Sequence, residues 1–158
     1  MGIQPTEGNA VKAIGFTGSR TGLSDPQKAT LETFISTMEV SRFHSGDCKG
    51  CDAQAFKIVR RLRPNAYLAV HPPSNKSMRA YCRPDQGCGI IHPPKECLAR
   101  NRDIVNTTDL LLATPDTIRE KLRSGTWATI RFARKVFKPI VYIFPDGTLK
   151  LEKPREHQ

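Results

Sequence analysis

The residues of this chain best equipped for chemistry cluster in short polar turns that follow apolar runs. Gly18-Ser19-Arg20, Gly46-Asp47, His71-Pro72-Pro73 and Thr114-Pro115 each follow such a run, and Arg123-Ser124-Gly125-Thr126 opens a helical pattern. Glycine lets backbone N–H groups approach an anion closely, and a helix N-terminus aims roughly half a positive charge at it. Arg20, Arg100 and Arg123 add guanidinium groups capable of bidentate phosphate contact. The chemistry these residues fit is capture of a phosphate-bearing small molecule. Gly18, Ser19, Arg20, Gly46, Asp47, Arg100, Arg123, Ser124, Gly125 and Thr126 would hold phosphate and ribose, and His71 would touch a base or ribose. Neither G-x-x-x-x-G-K-S/T nor G-x-G-x-x-G is present, which excludes the ordinary P-loop and dinucleotide fingerprints. Any one of these loops alone reads as a structural turn; their convergence on one sheet edge is what carries a binding site.

That convergence depends on the elements between the loops. Val11 to Thr17 is a short apolar run, read as a buried strand. Ser24 with Gln27 forms a capping-box pattern with Pro26 in the first turn, and Leu31, Phe34, Ile35 and Met38 follow at helical spacing. The pattern repeats: a strand over Arg42–Ser45, a helix over Ala53–Arg63, a strand over Ala66–Val70. Residues 74–95 show no period and read as one long irregular loop. A helix over Glu96–Thr107, a strand over Asp109–Ala113, a helix over Gly125–Phe137 with Phe137 inward, and a strand over Pro139–Phe144 complete the series. Alternating strands and helices predict a Rossmann-like α/β fold, three-layer α/β/α with a mostly parallel sheet. Ligands in such sheets bind beyond the carboxyl ends of the strands. The expected organisation is a flexible arm at 1–10, one domain over 11–147 and a polar tail at 148–158.

Composition narrows the function classes. The 158 residues suit a single core, and 38% hydrophobic content excludes a disordered chain. No apolar run is long enough to cross a bilayer and no signal sequence opens the chain, so no membrane partner and a cytoplasmic location are expected. The odd count of 5 cysteines argues for reduced thiols rather than a disulfide framework. Cys48, Cys51, Cys82, Cys88, His92 and Cys97 match no zinc-module spacing, so no metal site and no cofactor are expected. A net charge of +10 favours anionic partners, but the basic residues are dispersed and stacking aromatics are few. Single-stranded nucleic acid is therefore the less favoured partner. Trp127 beside the last glycine loop reads equally as a base-stacking or a core residue.

The sequence also resembles the SMF/DprA–Lonely Guy (SLOG) superfamily of Rossmann-like nucleotide-binding domains, in its small standalone bacterial and phage form. The resemblance rests on Gly15-Phe16-Thr17-Gly18-Ser19-Arg20, on Ser45-Gly46-Asp47 with Gly50 and Asp52, on Arg100-Asn101-Arg102-Asp103-Ile104-Val105, and on Arg123-Ser124-Gly125-Thr126-Trp127. It implies a protein that binds a nucleotide or nucleotide-derived signal as sensor or sequestering protein, assembled as a homo-oligomer, dimer or tetramer. It implies as alternatives a phosphoribohydrolase cleaving the N-glycosidic bond of a nucleoside monophosphate, and binding of single-stranded nucleic acid. Where Lonely Guy enzymes carry P-G-G-x-G-T-x-x-E, this chain places Thr129 at the catalytic Glu, while Arg100 falls on their catalytic Arg. If the chain is an enzyme, Asp47 and Asp52 with Arg100 are the catalytic candidates; otherwise both carboxylates read as caps of the following helix. Cys48 and Cys51 stand where the related pattern has alanines, and so read as small buried residues.

Overall fold

The computed structural model describes residues 13–155; the expected arm at 1–10 and the last three residues of the tail lie outside the described residues. β1 (Ala13–Gly18), β2 (Arg42–Ser45), β3 (Tyr67–Val70), β4 (Gly89–Ile91), β5 (Leu110–Thr114), β6 (Ile140–Ile143) and β7 (Leu149–Glu152) form one sheet in the order β4-β3-β2-β1-β5-β6-β7. All neighbours pair parallel except β6 and β7. α1 (Asp25–Thr37) and α2 (Cys51–Leu62) pack on one face, and α3 (Cys97–Asn106) and α4 (Gly125–Lys135) on the other.

The period-2 alternation of strand side chains divides the core between these faces. Ile14, Phe16, Leu110, Leu112, Val141 and Ile143 join Leu31, Ile35, Phe56 and Val59 under α1 and α2. Leu111, Ala113, Ile140 and Tyr142 join Val105, Trp127 and Ile130 under α3 and α4. Each fully buried side chain of this kind contributes roughly 1.5–3 kcal/mol relative to exposure. β1 carries glycine where α3 crosses it: a Cβ on Gly15 would sit 2.8 Å from Thr108 Oγ1 and 2.9 Å from Ile104 Cγ2.

α1 begins as its sequence predicts, with Ser24 Oγ accepting from the Gln27 N–H and the Gln27 side chain accepting from the Ser24 N–H. Three expectations need correction. The stretch 74–95 is not all loop: it holds a 3₁₀ turn at Lys76–Met78 and β4, which extends the sheet beside β3. Residues 149–152, read within the polar tail, form β7 through a hairpin turned at Gly147, whose φ is 85°. Phe137, expected inward, lies past the end of α4 at φ 60° and is 46% exposed, because the left-handed backbone there turns the ring off the core face.

Candidate functional site

The strand order reverses between β1 and β5, with one crossover running to each side, and such a switch point opens a crevice at the carboxyl edge. A cavity of about 400 Å³ occupies it. Four separated stretches supply its walls: the turn after β1, the turn after β2 with the start of α2, the first turns of α3, and the β5–α4 connection with the start of α4.

Close packing shapes the first wall. A Cβ on Gly18 would lie 2.4 Å from both Cys51 Cβ and Thr114 Oγ1, so only glycine lets β1 end against α2 and β5. Ser19 is then held by its own backbone, its N–H reaching Thr114 C=O at 3.3 Å and its C=O accepting from the Cys51 N–H at 3.1 Å. At the opposite wall Ser124 caps α4, its Oγ accepting from the Trp127 N–H at 3.3 Å. That cap leaves the Gly125 and Thr126 amides, which also line the cavity, with no intrahelical acceptor. The starts of α2, α3 and α4 all border the same space, so their positive dipole ends add.

Arg100 projects from α3 into this wall and is 6% exposed. Its Nη1 donates to Gly46 C=O and lies 3.3 Å from Cys48 Sγ, while its buried Nε finds no acceptor among the described residues. Gly46 has no side chain because a Cβ there would meet Arg100 Nη1 at 2.5 Å and Asp52 Oδ2 at 2.8 Å. Asp52 accepts from the Cys48 N–H at 3.1 Å. Burial raises its carboxyl pKa to about 6, against the opposing pull of Arg100. Burial works against the Arg100 charge too and is the largest single influence on it, but Asp52, Cys48 and Cys97 together outweigh it, and the guanidinium is held above its ordinary value. With Arg20, Lys121 and Arg123, the walls carry four cations against the carboxyls of Asp52 and Asp116, and Asp116 is already paired with Lys121 at 3.4 Å. The walls of the cavity thus carry a net positive charge and an excess of hydrogen-bond donors.

Of the residues singled out from sequence, Gly18, Ser19, Arg20, Gly46, Asp52, Arg100, Arg123, Ser124, Gly125 and Thr126 all border the cavity. Asp47 does not. Its carboxylate is fully buried, accepting from Arg79 Nε at 2.9 Å and from the Cys82 N–H at 2.7 Å, and its backbone sits at φ 58°. It ties the 79–82 segment to the turn after β2 and faces away from the cavity. Neither carboxylate caps α2, whose N-cap is Gly50 without a side-chain bond. His71 is also elsewhere: its Nε2 lies 2.9 Å from His44 Nδ1 and its ring stacks on His92 at 4.3 Å. Trp127 is core, 3% exposed, with Nε1 donating to Thr117 Oγ1. Thr129 is buried and turns its hydroxyl back to Gly125 C=O at 2.9 Å.

The structure adds Thr21, Cys97, Leu98, Asn101, Asp116 and Lys121 to the cavity border. Cys97, Leu98 and Asn101 lie in the first turns of α3 near Arg100, where a helical pattern does not show which residues border a cavity; Thr21, Asp116 and Lys121 sit in connections without period. Cys48, Cys51 and Cys82 are buried free thiols, and burial raises the pKa of each, that of Cys82 to about 12. Among the described residues no three His, Cys, Asp or Glu side chains are arranged to hold a metal ion, and no helix is long and apolar enough to cross a membrane.

No family model and no curated protein matches the sequence. Solved structures do match. The chain is similar to DNA processing protein A (DprA) from Streptococcus pneumoniae, with a TM-score of 0.61 and 18% identity over 84% of this chain. It spans half of that protein's length, covering 50% of it. It is also similar to the structural-genomics target TM1055, with a TM-score of 0.52 and 14% identity, covering 82% of this chain and 72% of the other. These likenesses establish the fold, a Rossmann-like α/β domain with a mostly parallel sheet shared with both proteins.

Proposed function

We propose that this SLOG-fold chain binds a nucleotide or nucleotide-derived signalling molecule by its phosphate, in the cavity between β1 and β5, and acts as a sensor or sequestering protein. The observation that carries this reading is Arg100: a charged guanidinium with an unsatisfied buried donor, set in a hollow that the Gly125 and Thr126 amides also face. An anion there gains charge-assisted hydrogen bonds from groups whose desolvation the fold has already absorbed. Arg20 and Arg123, exposed at the mouth, supply the outer contacts. The five free thiols fit a reducing compartment such as the cytoplasm.

Calorimetry with inorganic phosphate and a panel of nucleoside mono- and diphosphates tests the reading. Arg100→Ala should weaken the tightest ligand by roughly ten- to a hundredfold, the value of one charged hydrogen-bonding group, with the far-UV spectrum unchanged. Equal affinity in the variant would refute it.

A second reading has one specific support. Asp52 is a carboxyl on the cavity wall whose pKa of about 6 suits a proton carrier near neutrality. Under that reading the chain is a nucleotide N-glycosidase, with Asp52 in the role that Thr129 cannot take and Arg100 holding the phosphate. The same nucleoside monophosphates, incubated with concentrated protein, would then release free base; their recovery intact leaves binding alone.

A further inference from the structure

Among the described residues β7 ends the sheet with one side open: β6 pairs with it and no strand lies beyond. The bond from the Phe144 N–H to Thr148 C=O sets the phase of this antiparallel ladder, so Thr148, Lys150 and Glu152 bond to β6. The main-chain groups of Leu149 and Leu151 therefore point outward, and among the described residues none of them has a hydrogen-bond partner.

The two faces of this open strand differ in chemistry. On the α1 side Leu149 and Leu151 are 45% and 51% exposed, and Leu149 walls a shallow hollow of about 320 Å³ with Thr33 and Phe34. On the α4 side lies a cleft of about 670 Å³ bordered by Lys135, Lys138, Lys153 and Arg155. Its one carboxylate, Glu152, is already held by Arg134 at 2.9 Å, so the cleft is left strongly positive. Both hollows lie against the same four-residue strand.

We propose that this edge accepts an extended segment of a partner protein in which acidic and apolar residues alternate. An added strand would satisfy the outward groups of Leu149 and Leu151. Its side chains would fall alternately on the two faces, apolar ones beside Leu149 and Leu151 and acidic ones in the basic cleft. A second copy of β7 fits badly, since it would bring its own Lys150, Lys153 and Arg155 to the face that already carries the basic cleft. A nucleic-acid strand would engage the cations but leave the leucines and the outward backbone unused. The shortness of β7, Lys150 and Pro154 guard against indiscriminate pairing, which leaves charge complementarity to select the partner.

The test is fluorescence anisotropy of a labelled synthetic peptide of about eight residues alternating Glu and Val, titrated with the full chain, beside a Lys–Val peptide and an oligothymidylate. Saturable binding of the Glu–Val peptide alone is expected. It should fall at least about tenfold in Leu151→Pro, which removes an outward N–H without touching the β6 ladder, and in the double variant Lys153→Glu with Arg155→Glu. Absence of saturable binding up to millimolar protein, or equal binding by the charge-reversed variant, overturns the proposal. So does an oligothymidylate that binds where the Glu–Val peptide does not. Should Leu151→Pro fail to fold, the charge-reversed variant decides alone.

Discussion

Asp52 and Arg100 share a wall, and the proton on one sets the field offered by the other. Below pH about 6 the Asp52 carboxyl is neutral and the Arg100 charge faces the cavity undiluted. Above it the carboxylate offsets Arg100 and would repel the anion of the proposed function. A phosphate ligand has its own ionisation in this range, so the informative quantity is the affinity of Asp52→Asn relative to the parent at each pH. The two should bind alike near pH 5, and the variant about three- to tenfold tighter near pH 7.5, since each unit of pKa displaced is worth about 1.4 kcal/mol. A ratio that does not change with pH would place Asp52 outside the ligand's field. The sequence made Asp52 and Asp47 equal candidates for catalysis, because both lie near the end of the second strand. Only the left-handed backbone of Asp47, which swings its carboxylate toward Arg79 and Cys82, separates them. No residue spacing announces such a turn at a non-glycine position.

At the scale of elements, the capping box of α1 was legible because its signal is local, and its consequence was not, because that is tertiary. Gln27 is buried, and beyond bonding the Ser24 N–H it donates through Nε2 to Pro115 C=O at 2.8 Å and Ile143 C=O at 3.0 Å. One side chain thus fastens the start of α1 to the ends of β5 and β6. Gln27→Ala leaves two carbonyls and an N–H without it, and should cost about 2–3 kcal/mol. For a domain of this size that is about 4–12 °C in thermal midpoint, whereas a simple surface cap would lose far less. β4 and β7 escaped the sequence reading for a shared reason. Each is an edge strand of three or four residues with exposed apolar side chains, Ile90 and Ile91 in one and Leu149 and Leu151 in the other, so neither shows the buried run or clean alternation that marked β1 and β5. β4 further depends on Gly89, where a Cβ would meet Leu68 C=O at 2.1 Å, a constraint visible only once β3 is alongside.

For the whole molecule, stability should decline on mild acidification, and the sign follows from three buried groups. Burial lowers the pKa of His44 to about 4 and of His71 to about 3, with His92 adding to both shifts. The unfolded chain takes up protons on both near pH 6.5 while the native state does not, so their contribution is complete above that pH and is lost as pH falls toward 4 and below. Asp52 acts oppositely: the native carboxyl keeps its proton to about pH 6, the unfolded one only to about 3.8, so it favours the native state as pH falls through that window. Two imidazoles outweigh one carboxyl. The urea midpoint should therefore be lower at pH 4.5 than at pH 7, and His71→Gln should shrink that difference. A midpoint that rises on acidification would mean the imidazole stack is open to water.

The cavity walls come from stretches near residues 16–21, 46–52, 97–101 and 116–126, brought together only by the finished sheet. On the proposed function, affinity for an anion is consequently a property of complete folding, and no contiguous fragment can inherit a weakened version of it. By the same linkage, occupancy reinforces every part of the domain at once: ligand at a hundredfold excess over its dissociation constant adds about 2.7 kcal/mol to global unfolding. Amide exchange should then slow across the central strands together, since any opening that separates β1 from β5 must first release the guest.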